Sequence, residues 1–268
     1  MLLLRIHAPV TKEIATLAMM PLALASAGEL VADAAAARAD TRWRRCSNGT
    51  MTMYTNAVLA FNAVQRLEDT SVHGAIVEAG VYRGGMSCYM ALAQRSIKLR
   101  PMWLFDTFEG MPAPTVEDDT RTHEAFRRAT DGGAKWCYGS LDTVRHVVEQ
   151  QAAVPADIVS YVKGKVEETL YNQSTRLPHR IALLRLDTDF YTSTKAELEV
   201  LWPLLSPGGW LYIDDYAAWG GARRAVDEWL AARNWTAHAR KVSAYPKGKR
   251  AFNLWKANPY SDELPFQI

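Results

Sequence analysis

Four aspartates stand in two tight groups in this chain of 268 residues. Asp187 and Asp189 close the stretch "RIALLRLDTDFYTST" (180–194), in which five of the six residues from Ile181 to Leu186 are apolar. Asp214 and Asp215 close a second apolar run, "GWLYIDD" (209–215). Runs of this kind are buried strands. Taken singly, each acid has a plain role as a helix cap: Asp189 for "FYTST", Asp214 or Asp215 for a helix from Gly220. Two pairs at the ends of two strands call for more. Crowded carboxylates repel, so either some hold protons or a cation neutralises them. With no His or Cys beside them, an oxygen-only set favours Mg²⁺, with Ca²⁺ or Mn²⁺ as alternatives.

The spacing says how the pairs meet. Asp187 and Asp214 lie 27 positions apart, room for a helix, its loops and one strand. That is a βαβ unit, whose two parallel strands usually lie side by side, about 4.8 Å apart. Their ends then bring Asp187 next to Asp214 and Asp215, with Asp189 just beyond.

Two further signals sit at strand ends. "VEAGVYRGGMS" places Glu78, Gly80, Gly84 and Gly85 between a strand and a helix. Glycines there let a backbone approach a ligand, and the helix start offers free N–H groups. The spacing is not G-x-G-x-x-G, and no lysine follows as in a phosphate loop; a tight strand-to-helix turn explains it equally well. Asp106 ends the next run, "MWLFD", where an acid commonly accepts from ribose hydroxyls. Glycine turn and acid together suggest an adenosine-containing cofactor.

The elements that position these residues alternate. Apolar runs at 75–81, 102–106, 157–162, 181–187 and 209–215 are separated by helical patterns at 85–96, 121–130, 140–151, 192–205 and 220–233. This is an α/β fold, a mostly parallel sheet with helices on both faces. Residues 235–244 and 250–257 read as a closing antiparallel hairpin around 246–248. Residues 1–70 read as an N-terminal helical appendage or lid and 71–268 as the main domain. Ligands of such sheets sit beyond the carboxyl ends of the strands, where every strong polar signal falls.

Composition narrows the class. About half the residues are apolar and the net charge is +2, which argues against disorder and against nucleic acid as a partner. Cys46, Cys88 and Cys137 show no CxxC spacing and are odd in number. They read as separate thiols in a reducing, cytoplasmic setting. Residues 14–27 form an apolar run ending in A-x-A; it is too short to span a bilayer comfortably. It reads as part of the helical appendage, with a cleaved targeting peptide as the second reading. No G-x-S-x-G elbow surrounds Ser87, and the six histidines are scattered.

The set "VEAGVYRGG", "LFDTFEGMP", "LLRLDTDFYTSTKAELEVLWPLLSPGGWLYIDDY" and "GARRAVDEW", with "TMTM" ahead of it, resembles the macrocin O-methyltransferase (TylF-type) family over roughly residues 48–233. The resemblance implies a class I, Rossmann-like fold and methyl transfer from S-adenosylmethionine (SAM). It implies Mg²⁺ and a vicinal diol of a sugar on a natural product. By matching motif it implies Asp187, Asp214 and Asp215 as metal ligands and Asp189 as general base. It implies Met53, Glu78, Gly80, Gly84, Asp106, Thr107 and Phe108 at the cofactor, with Asp106 on the ribose. Thr188 departs from the family, whose best-known members carry Gly there. A homo-oligomer through the N-terminal helices is a further expectation.

Two competing readings remain. "DTD" is also the D-x-D pattern of metal-dependent glycosyltransferases, but that leaves Asp214 and Asp215 unexplained. The other is a catalytically silent methyltransferase-like binding protein, against which the intact aspartate set argues.

Overall fold

The computed structural model describes residues 35–234 and the strand at 252–255. Six strands form one sheet in the order β3-β2-β1-β4-β5-β6. They are β1 (Ala75–Ala79), β2 (Met102–Asp106), β3 (Val159–Lys163), β4 (Ile181–Leu186), β5 (Leu205–Ile213) and β6 (Phe252–Trp255). The first five are parallel, and β6 runs antiparallel to β5. The central strands β1 and β4 are buried throughout. Continuous apolar runs rather than alternation are what a sheet covered on both faces requires. The expected partner strand at 235–244 and the apolar run at 14–27 lie outside the described residues.

The helices are α1 (Thr41–Cys46), α2 (Tyr54–Asp69), α3 (Gly85–Ala93), α4 (Thr120–Ala129), α5 (Leu141–Arg145), α6 (Val166–Thr169), α7 (Tyr191–Val200) and α8 (Gly220–Ala231). The helix expected over 140–151 is α5 followed by a π-helical turn, His146–Gln151. The helices of the N-terminal segment share the sheet's core: Trp43, Phe61, Val64 and Leu67 pack in one apolar cluster with Ile76, Leu183 and Tyr212. The opposite face packs Val77, Leu184 and Leu211 against α7 and α8 through Ala196, Leu198 and Val226.

One expectation fails here. Cys46 and Cys88 are not separate thiols; they form a disulfide joining α1 to α3, with Cα atoms 5.7 Å apart. Their 42-residue separation carries no spacing signal, because a pairing between helices depends on the tertiary fold. Cys137 is the free cysteine among the described residues.

Candidate active site

The register of the sheet builds the site in rows. Glu78, Arg185 and Tyr212 are lateral partners across β1, β4 and β5. They lie on the face that carries Ile76, Leu183 and Trp210, because strand side chains alternate. Two positions further along the same face come Gly80, Asp187 and Asp214. The ladder continues past the strand ends to hold that second row: the Asp187 N–H donates to the Ala79 carbonyl and the Asp214 N–H to the Leu186 carbonyl, each at 2.9 Å. Gly80 has φ +81°, and a Cβ there would lie 1.9 Å from the Asp187 carbonyl oxygen. Only glycine lets β1 end this close to the strand that carries Asp187.

Asp187, Asp214 and Asp215 each offer a carboxylate oxygen, and these atoms lie within 4.8 Å of one another. Asp189 sits above them with left-handed backbone, φ +67°. Its N–H donates to Asp215 Oδ2 at 3.2 Å. Behind the carboxylates stands Arg185, 1% exposed, at the centre of the charge. Its Nη1 donates to Glu78 Oε1 at 2.7 Å and pairs with Asp187 Oδ2 at 2.8 Å. Its Nη2 reaches Thr52 Oγ1 at 2.7 Å and Asp214 Oδ2 at 3.4 Å. The Tyr212 hydroxyl donates to Asp214 Oδ1 at 2.7 Å. Arg185, Thr52 and Tyr212 were not singled out from the sequence. Arg185 had a readable signal: it is the one charged residue in "IALLRL", and a charge inside a buried strand requires a partner.

The electrostatics follow from this crowding. Burial pushes the Asp187 carboxyl well above the usual carboxylate range; Arg185 opposes the shift, and Asp214 and Asp215 add to it. Asp215 is raised by burial and then by the neighbouring Asp189 carboxylate. Asp189 is pushed up to about 7, chiefly by burial, with the nearby Asp215 and Trp219 opposing the rise and the Asp187 and Asp214 charges adding to it. Burial alone would lower the Arg185 guanidinium, but Asp187, Asp214 and Glu78 more than offset it. One fixed cation therefore faces a larger set of acids, and the oxygen-only donor set suits a hard divalent ion.

A cavity adjoins the cluster. It is lined by Gly80, Tyr82, Asp106 and Thr107 at one end and by Asp187, Asp189 and Phe190 at the other. Met51 also lines it, whereas Met53, Glu78, Gly84 and Phe108 do not. Glu78 is fully buried, engaged by Arg185 and by the Ser87 hydroxyl. Gly84 caps α3 with φ +85°. Asp106 clamps the glycine turn: Oδ2 accepts the Val81 and Tyr82 N–H groups at 2.7 and 3.0 Å, and Oδ1 accepts the Phe108 N–H at 2.8 Å. Thr188 also lines the cavity, and its hydroxyl donates to the buried Glu197 Oε1 at 3.0 Å. The "FYTST" helix start is capped by neither Asp187 nor Asp189. Asp118 Oδ1 accepts the Tyr191 N–H from a separate segment at 2.9 Å.

The sequence pattern described as macrocin-O-methyltransferase (TylF) matches residues 16–246. The chain is 38% identical over 153 residues to 8-demethyl-8-(2,3-dimethoxy-alpha-L-rhamnosyl)-tetracenomycin-C 4'-O-methyltransferase of Streptomyces olivaceus, covering 54% of each. It is 33% identical over 165 residues to mycinamicin III 3''-O-methyltransferase of Micromonospora griseorubida, covering 59% of this chain and 61% of the relative. The chain thus spans little more than half the length of these relatives. The solved structure of the O-methyltransferase NovP superposes with a TM-score of 0.62 at 22% identity, covering 78% of this chain and 83% of that one. That likeness shows the fold. Nothing in these similarities favours the glycosyltransferase reading, and the structure gathers Asp214 and Asp215 into the same cluster as "DTD".

Proposed function

The chain belongs to the macrocin O-methyltransferase (TylF) family, and we propose that it methylates a sugar hydroxyl of a glycosylated natural product, using SAM and a divalent cation, Mg²⁺ by preference. The observation that carries this reading is the three-carboxylate cluster at the ends of β4 and β5, of which Asp187 lines the same cavity as Gly80 of the glycine turn and Asp106. The sugar acceptor is suggested by the printed substrates of the two relatives.

Asp187, Asp214 and Asp215 would hold the cation. When bound, Mg²⁺ supplies Lewis acidity that makes a poor nucleophile such as an alcohol easier to deprotonate. SAM, when bound, supplies a methyl group on a sulfonium that is open to in-line displacement. The protein's own share is positioning and proton transfer. Asp189 takes the hydroxyl proton on its carboxylate, and a value near 7 in the metal-free protein places it close to working pH. Arg185 and the Tyr212 hydroxyl fix the carboxylates of Asp187 and Asp214 from behind. Gly80, Asp106 and Thr107 form the SAM end of the cavity. Most of the acceptor capacity of Asp106 is taken by backbone N–H groups, so it serves SAM first by shaping the turn.

The test separates metal from cofactor. Wild-type protein should bind one Mn²⁺ per chain, read by electron paramagnetic resonance, and Asp187→Ala or Asp214→Ala should lose it while SAM still binds in calorimetry. Asp189→Asn should keep both ligands and lose about 10²–10⁴-fold in methyl transfer. Full Mn²⁺ binding by either alanine variant would overturn the metal assignment.

A further inference from the structure

The Arg185 guanidinium divides its N–H groups unevenly among the groups around it. Nη1 meets Glu78 Oε1 at 2.7 Å and Asp187 Oδ2 at 2.8 Å, both ordinary distances for charge-assisted hydrogen bonds. Nη2 meets Asp214 Oδ2 only at 3.4 Å and gives its short contact, 2.7 Å, to the neutral hydroxyl of Thr52. A carboxylate is the stronger acceptor of the two, so an unconstrained guanidinium would reverse that order. The Asp214 carboxylate is meanwhile fixed through its other oxygen, which accepts from the Tyr212 hydroxyl at 2.7 Å. The place of Thr52 therefore holds the guanidinium off Asp214.

Thr52 is set between two firmly packed elements. On one side Met53 is the N-cap of α2, whose Ala57, Ala60 and Phe61 are core residues. On the other, the Thr52 N–H donates to Thr50 Oγ1 at 3.0 Å, and the chain before it lies against the start of α3. A Cβ on Gly85 would stand 2.5 Å from the Gly49 carbonyl carbon and 2.7 Å from the Thr50 nitrogen. The Cys46–Cys88 disulfide fastens α1 to the same helix. Backbone packed this closely leaves Thr52 little room to follow Arg185 toward Asp214. Arg185 has no slack of its own: it is 1% exposed, and its Nε already has no hydrogen-bond partner among the described residues.

We propose that Thr52 is a positioning residue for the cation site: its hydroxyl occupies Arg185 Nη2 and so keeps Asp214 Oδ2 available to a divalent ion. This rests on the metal reading above and deepens it. A guanidinium fully paired with Asp214 would compete with the ion for the same oxygen. A neutral acceptor is the residue type that prevents this, because it satisfies a buried N–H without adding another acid to the cluster. Thr52 acts through Arg185 and needs no contact with the ion, as supporting partners of metal ligands commonly do. The N-terminal segment is in this way part of the site rather than only a wall beside it.

The test compares Thr52→Val, which keeps the shape and removes the acceptor, with Thr52→Ser, which keeps the acceptor. Mn²⁺ binding is read by electron paramagnetic resonance. Thr52→Val should weaken it by about tenfold, whereas Thr52→Ser should bind like wild type. A crystal structure of metal-free Thr52→Val should show Arg185 Nη2 closed onto Asp214 Oδ2, nearer than the present 3.4 Å. Melting curves check that each variant folds, and Thr52→Ala repeats the comparison should the valine variant not fold. Wild-type Mn²⁺ affinity in the acceptor-free variant would overturn the proposal, as would an equal loss in Thr52→Ser. Failure of the wild-type protein to bind Mn²⁺ would instead sink the metal reading on which the proposal rests.

Discussion

Thr188 stands between Asp187 and Asp189 and lines the cavity, yet its hydroxyl is tied to a buried acid. Its hydroxyl donates to Glu197 Oε1, and the other carboxyl oxygen of Glu197 has no hydrogen-bond partner. Burial pushes Glu197 well above its usual range, opposed by that one hydrogen bond. The Ser193 hydroxyl and the Phe190 N–H also engage the Thr188 carbonyl. Thr188 is thus a peg that fixes the turn carrying Asp187 and Asp189 onto α7. Thr188→Val should cost about 1–3 kcal/mol, because it strands a buried polar group. Adding Glu197→Leu should recover much of that loss, because both partners are then apolar. Urea unfolding of the two singles and the double closes the cycle, and additive losses would show that the pair is not coupled. The sequence marks Thr188 only as a departure from its relatives. Its partner nine positions on is invisible, because an acid inside a helix reads as a solvated face until tertiary packing buries it.

The elements themselves were legible, and their tethering was not. Apolar runs alternating with helical patterns foretold the parallel strands, and the 27-position spacing foretold that β4 and β5 lie side by side, which brings Asp187 to Asp214. The aspartate cluster was readable because it follows from local spacing plus one rule of topology. The disulfide depends on how α1 lies across α3, and no local pattern encodes that. It also has a mechanical role. The segment just after α1 supplies Met51 to the cavity and Thr52 to Arg185, so the bond anchors one wall of the site. Closing a 42-residue loop is worth up to about 4 kcal/mol through the unfolded chain. Cys46→Ser/Cys88→Ser should lower stability by an amount of that order in denaturant titrations. An unchanged midpoint would mean that the thiols are not bonded in solution.

For the whole molecule, the buried acids set how stability responds to pH. Asp187, Asp189 and Asp215 all have folded values raised above those of the unfolded chain, chiefly by burial. Groups of this kind contribute their full stability below the unfolded value, near 4, and lose it as pH climbs through the folded value, about 7 for Asp189. The surface acids with lowered values, such as Asp119 and Glu228, have already made their contribution by pH 5. Metal-free protein should therefore melt at a lower temperature at pH 8 than at pH 5. Mg²⁺ should raise the melting temperature more at pH 8, since it binds the ionised form. Calorimetric scans at the two pH values, with and without Mg²⁺, check this; a metal-free melting temperature that rises with pH would refute it. Arg185 adds a consequence for handling the protein. In the language of ion exchange, the proposed metal reading gives the site one cation bonded into the matrix and one exchangeable place. On that reading a chelator would empty only the exchangeable place, and the bonded cation would stay to balance part of the charge at the strand ends. Cycles of stripping and refilling should leave amide exchange at the ends of β4 and β5 the same after each refill.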